Sequence, residues 1–197
     1  MSSVGVTGHR HLAEIERVST GIERALARID SEMVRGVLSV LSALAEGADR
    51  LVAKCALAQH PAARLIVPLP LPREEYLRDF ASDESKHEFV KLLERADEVI
   101  ELPPQPSRSD AYRAAGLYIL DHCDVLIAVW DGKEGQGTSG TAAIATEARQ
   151  RKLPISWIRA GNRKPGTNEP TSVGAEQGMV TFENFPSAAQ RRRDARG

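Results

Sequence analysis

Asp124-Val125-Leu126-Ile127-Ala128-Val129-Trp130 is an apolar run that empties into Asp131-Gly132-Lys133-Glu134-Gly135-Gln136-Gly137-Thr138-Ser139-Gly140-Thr141. A short apolar run without alternation predicts a strand buried on both faces. Helical spacing resumes over 141–151, so the glycines lie in a strand-to-helix turn. Such a turn exposes backbone N–H groups at the positive end of a helix dipole, which suits a phosphate. A second turn of this kind opens the chain at Val4-Gly5-Val6-Thr7-Gly8-His9-Arg10. Two such turns on one parallel sheet can hold both ends of a nucleotide.

Working outward, strands and helices alternate. Residues 4–7 predict a strand and 11–29 a helix, striped by Leu12, Ile15, Val18, Ile22, Ala25, Leu26 and Ile29. A strand over 34–41, a helix over 45–59 and a strand over 64–69 follow. Residues 73–80 and 85–95 read as charged helices, 97–102 as a strand, and 109–123 as a helix with Ser109 and Asp110 as cap candidates. After the quoted stretch come a strand over 155–158 and a short edge strand over 179–185. This alternation predicts an α/β, three-layer Rossmann-like fold with a mostly parallel sheet of about six strands. Ligands then sit outside the carboxyl ends of the strands, where both glycine turns lie. The folded domain is expected over 1–160. Residues 161–197 read as a polar, partly irregular tail, with Arg191, Arg192, Arg193 and Arg196 at a frayed terminus, the alternative being an arm for nucleic acid or a partner.

Bulk properties bound the function. The chain has 197 residues, 42% hydrophobic and 27% charged, enough for a full core without disulfides. A formal net charge of −1 and the lack of a basic stripe argue against nucleic acid as partner. No apolar run approaches the roughly 20 residues of a membrane span. The first strand begins too early to leave room for a signal peptide. Cys55 and Cys123 lie far apart without metal-ligand spacing, and they read as reduced, buried thiols of a cytoplasmic protein. The histidines lack H-x-x-H or H-E-x-x-H spacing, so no metal is expected.

Three constellations carry candidate chemistry. In the first, Gly8 allows a tight turn against a ligand, Thr7 offers a hydroxyl, and Arg10 offers its fork of donors to a phosphate. His9 donates a hydrogen bond or acts as an acid/base. The second is Leu44-Ala45-Glu46-Gly47-Ala48-Asp49-Arg50, at the start of a helix on the same sheet edge. There Gly47 permits close packing, and Asp49 binds a ribose hydroxyl or pairs with Arg10. The third is Gly137-Thr138-Ser139-Gly140-Thr141, rich in donors and nearly free of bulk, the most specific of the three. It lacks the Lys-Ser/Thr ending of a Walker loop. Glu46 and Asp131 are the weak catalytic candidates, with Asp49 and Glu134 beside them and Glu147 more distant. Trp130 reads as core or pocket wall. Tyr112, Arg113 and Tyr118 read as core packing, with base stacking as the alternative. Glu74, Glu75, Asp79, Asp83, Glu84 and Glu88 are assigned to a solvated face.

Together these stretches resemble the SLOG superfamily, a Rossmann-like group that includes LOG-type phosphoribohydrolases and DNA-processing protein A. The resemblance spans roughly residues 4–158. Val-Thr-Gly-His-Arg at 6–10 is similar to the first-strand turn of the YpsA-like branch. Ala45-Glu46-Gly47-Ala48-Asp49 is similar to the turn after the second strand there, and Gly137–Thr141 to the LOG phosphate loop. The resemblance implies a domain that binds a nucleotide or nucleotide-derived ligand, with homo-oligomers possible and no certain cofactor. LOG enzymes continue their loop as Gly-Thr-x-x-Glu, whereas the matching position here is Ile144, which cannot take a proton or stabilise an oxocarbenium-like centre. A sensor or binding domain is therefore the leading expectation. The alternative is an N-glycosidic hydrolase or transferase acting on nucleoside 5′-monophosphates.

Overall fold

The structure, a computed structural model, describes residues 2–33, 36–133 and 140–186. Its elements run β1 (Ser2–Gly8), α1 (Ile15–Glu32), β2 (Leu38–Leu41), α2 (Ala48–Gln59), β3 (Arg64–Leu69), α3 (Arg73–Tyr76) and α4 (Asp83–Glu94). They continue as β4 (Glu98–Glu101), α5 (Arg108–His122), β5 (Val125–Trp130), α6 (Thr141–Gln150), β6 (Ile155–Arg159) and β7 (Val180–Glu183). The strands form one sheet in the order β4-β3-β2-β1-β5-β6-β7, parallel except for β7. The α/β, three-layer, mostly parallel architecture expected from the sequence is present.

The strand β5 shows why its run is apolar throughout. Val125, Ile127 and Val129 join the core that α1, α2 and α4 cover. Leu126, Ala128 and Trp130 join the opposite core, with Leu120 of α5 and Ile144, Ala145 and Ala148 of α6. Alternate side chains thus enter two different cores, so neither set can be polar. Hydrogen-bonded neighbours lie on both sides, with Val4 in register with Val125 and Leu126 with Ile155.

Four local differences from the sequence reading have physical causes. The helix α1 starts at Ile15 rather than near residue 11, because Leu12 forms an antiparallel bridge with Asn162 and Glu14 takes φ 45°. The cap of α5 is Ser107, not Ser109 or Asp110. Its Oγ accepts the Asp110 N–H at 3.1 Å and donates to the Asp110 carboxylate at 2.6 Å. The sheet has seven strands rather than about six, because β7 closes its edge against β6. Arg149 of α6 holds β7 with a two-pronged pair to Glu183, both bonds 2.8 Å.

The fourth difference concerns residues 161–178. They are largely irregular, yet they pack against the turn that follows β1. The Arg163 N–H donates to the His11 carbonyl, the Glu14 N–H to Asn168 Oδ1, and Arg17 Nη2 to the Ala175 carbonyl. Gln177, 2% exposed, donates from Nε2 to the Ala13 carbonyl and accepts the Gly161 N–H. This segment is a brace on the β1–α1 turn. The arginine-rich terminus, 187–197, lies outside the described residues. Among the described residues no helix is long and apolar enough to cross a membrane.

Candidate functional site

The chain leaves β1 in one direction to build β2, β3 and β4, then crosses back to lay β5 on the other side of β1. The strand order thus reverses between β1 and β5, the place at which a crevice forms above the carboxyl ends of strands in such a sheet. A cleft of about 430 Å³ occupies this place. Thr7, Gly8, His9 and Arg10 line it from the first turn, Asp49 from the second, and Gly140 and Thr141 from the start of α6.

The second turn is held from inside. Leu44 is buried in the left-handed region at φ 57°. Its N–H donates to Ser42 Oγ, whose hydroxyl donates in turn to the Asp49 carbonyl. The main chain folded in this way brings the Ala45 N–H onto the Asp49 carboxylate. Burial pushes the Asp49 acid up to about 7, against the Ala45 N–H and the nearby guanidinium groups of Arg10 and Arg50. The two turns also interlock. The Ala48 N–H donates to the His9 carbonyl. A Cβ on Gly47, where φ is 79°, would stand 2.2 Å from the Arg10 carbonyl oxygen. A Cβ on Gly8 would stand 2.3 Å from Ala48 Cβ and 2.6 Å from the Val129 carbonyl. Gly47 therefore sets the approach of one turn to the other, and it is absent from the lining of the cleft.

Arg10 lies over the Tyr112 ring, 5.2 Å from its centroid. The Tyr112 hydroxyl donates to Asp79, which also receives Arg108. Tyr76 and Pro70 complete this wall, and Ala115 and Gly116 of α5 present a small-residue floor. Gly116 has no room for a Cβ, since Ile144 Cδ1 lies 2.5 Å from where it would stand. At the other side Gly140 caps α6, its carbonyl accepting from the Ala143 and Ile144 N–H groups. The Thr141 and Ala142 N–H groups precede those first bonds, at the positive end of the helix. A Cβ on Gly140 meets nothing within 4 Å among the described residues. Trp130, 3% exposed, lines the cleft and keeps a buried Nε1 without a hydrogen-bond partner among the described residues.

His9 and Asp131 meet at the end of β5. The Asp131 N–H donates to His9 Nε2 at 3.3 Å, and Asp131 Oδ1 lies 3.3 Å from the same nitrogen. Burial holds the His9 imidazole below its ordinary value, against the pull of Asp131. Asp131 also accepts the Ser172 hydroxyl at 2.9 Å and the Lys133 N–H at 3.1 Å. Burial raises the Asp131 acid, but these donors and His9 outweigh it and keep the group below the usual carboxylate range. Asp131 thus anchors His9 to the brace.

The remaining sequence candidates lie elsewhere. Glu46 is turned to Ser85 and the Ala81 N–H. Glu147 pairs with Arg151. Tyr118 stacks on His122, with ring centroids 4.0 Å apart. Asp79 and Glu88, assigned to a solvated face, bind Tyr112 and the buried Arg50. Glu134, Gly135, Gln136, Gly137, Thr138 and Ser139 lie outside the described residues. Tyr76 was missed as a wall residue. Its signal was the apolar pair Tyr76 and Phe80, one helical turn apart within a charged stretch. Cys123 is buried, which pushes its thiol up to about 12, and Cys55 is half-buried; both are free thiols. No protein-family model and no curated protein matches the chain.

Proposed function

We propose that the cleft binds a nucleotide or nucleotide-derived ligand, as a sensing or binding domain of the SLOG type. The observation that carries this reading is the convergence of Thr7–Arg10 and the first turn of α6 on one cleft at the β1/β5 crossing. The first-turn N–H groups of α6, without a partner among the described residues, and the Arg10 guanidinium suit a phosphate. Tyr112, Tyr76 and the floor of α5 offer apolar and aromatic surface to a base or ribose. Asp49 is the one acid among the described residues of the lining, and it faces Arg10. Glycosidic hydrolysis calls for two acidic groups flanking the scissile bond. The single acid among the described lining residues favours the binder over the hydrolase.

The test is thermal stability against AMP, ADP, ADP-ribose, NAD and cyclic nucleotides. A ligand at about 100 times its dissociation constant adds roughly 2.7 kcal/mol. Arg10→Ala is expected to cost about 1.5–3 kcal/mol of affinity for a phosphorylated ligand. The absence of any stabilising nucleotide removes the proposal, and free base appearing in the mixtures moves it to the hydrolase.

A further inference from the structure

A second cavity, of about 250 Å³, lies between the β1–α1 turn and α2. Arg10, His11, Arg50, Lys54 and Arg163 line it, and Glu88 is the one carboxylate among the described lining residues. Glu88 is already shared, accepting from Arg50 Nη1 at 3.1 Å and from Lys54 Nζ. Within the described lining one carboxylate thus stands among four permanently positive side chains, of which Arg10 also faces Asp49 and Asp79 outside this cavity. Arg163 is exposed, and only its main chain is bonded among the described residues, to the His11 carbonyl.

Arg50 makes the cavity more than a surface of basic residues. It is 2% exposed. Its Nε donates to the Leu44 carbonyl, and its Nη1 to Ser85 and Glu88. Its Nη2 is buried with no hydrogen-bond partner among the described residues, and the guanidinium lies over the Phe80 ring, 4.3 Å from its centroid. A buried guanidinium beside a cavity whose described lining carries more cations than carboxylates fits an anion there.

We propose that this cavity is a second anion site that takes a phosphate group, and that Arg10, which lines both cavities, links it to the cleft. The site goes beyond the nucleotide reading and stands without it. The phosphate comes either free from solution or as the distal phosphate of a ligand seated in the cleft. Both sources offer a compact oxyanion to Lys54, Arg50 and Arg163.

Calorimetric titration at low salt tests this with inorganic phosphate, pyrophosphate, AMP and ADP. The proteins are the parent, a Lys54→Ala/Arg163→Ala double variant and Gly140→Val. Neither alanine removes a contact of the cleft, and the main-chain bond of Arg163 survives. Phosphate or pyrophosphate is expected to bind the parent and Gly140→Val alike and to lose at least about tenfold in the double variant. Phosphate binding together with AMP assigns the free source. ADP binding about tenfold more tightly than AMP, only with Lys54 and Arg163 present, assigns the distal phosphate. The proposal is overturned if neither phosphate nor pyrophosphate binds the parent, or if the double variant binds them equally well. A result in which no nucleotide binds but phosphate binds through Arg163 removes the cleft reading and leaves this site standing.

Discussion

At the scale of the residue, two glycines of the site have opposite physical duties. Gly47 combines φ 79° with a neighbouring carbonyl 2.2 Å from its missing Cβ. Gly47→Ala is therefore expected to cost on the order of 2 kcal/mol or more in denaturant unfolding, because the Arg10 main chain must move. At Gly140 a Cβ would meet no described residue within 4 Å. Gly140→Val is expected to leave the melting temperature within a few degrees of the parent and to abolish nucleotide binding. Retained binding would remove the start of α6 from the site. Asp49 gives a pH signature. The folded acid titrates at about 7 and the ordinary acid at 3.8, so between these values the folded chain keeps a proton that the unfolded chain releases. Stability then falls as pH rises through that window, and the penalty is complete above it. Asp49→Asn should melt with the parent below pH 3.8 and increasingly above the parent up to pH 7. Parallel curves across the whole range would contradict the burial assigned to this carboxyl.

At the scale of the element, the sequence was most legible where one side-chain pattern had one structural cause. The run at β5 needed two apolar cores, and the structure supplies both. The boundaries of β3 follow from the proline punctuation around it. The cap of α5 was misplaced because Ser107, Ser109 and Asp110 are all capping residues. Only main-chain geometry shows that Ser107 is the one in extended conformation, at φ −140°. Ser107→Ala should cost about 1 kcal/mol, read as a shift in the urea midpoint, whereas Ser109→Ala should cost less. In the cleft, the first turn was placed from glycine, threonine and arginine at the end of a strand, and the second from a glycine and an acid at the start of a helix. The engagement of Glu46 with Ser85, and of Asp131 with Ser172, was not legible. Those partners lie 39 and 41 residues away, and pairing over such distances leaves no mark in local spacing.

At the scale of the whole molecule, the stretch after β6 is part of the site's support. Composition rich in Gly, Pro, Asn and Thr made it read as a tail, yet it carries the contacts that brace the β1–α1 turn. Gln177→Ala leaves the Ala13 carbonyl and the Gly161 N–H without partners in the interior. It is expected to cost on the order of 2–3 kcal/mol in unfolding and to weaken ligand binding through the loosened turn. Unchanged stability with unchanged affinity would show that the brace is dispensable. The strand order has a further consequence for the order of assembly. The central strand β1 is made first, yet its partner β5 arrives more than a hundred residues later, as the bonds from Ser3 to Asp124 record. During synthesis β1 to β4 can pair early, while one edge of β1 waits uncovered. The seam between β1 and β5 can close only after β2, β3 and β4 have been made, and the crevice above it can hold nothing until then. A nascent chain released before β5 would present Val4 and Val6 on an open edge, a natural docking point for a chaperone.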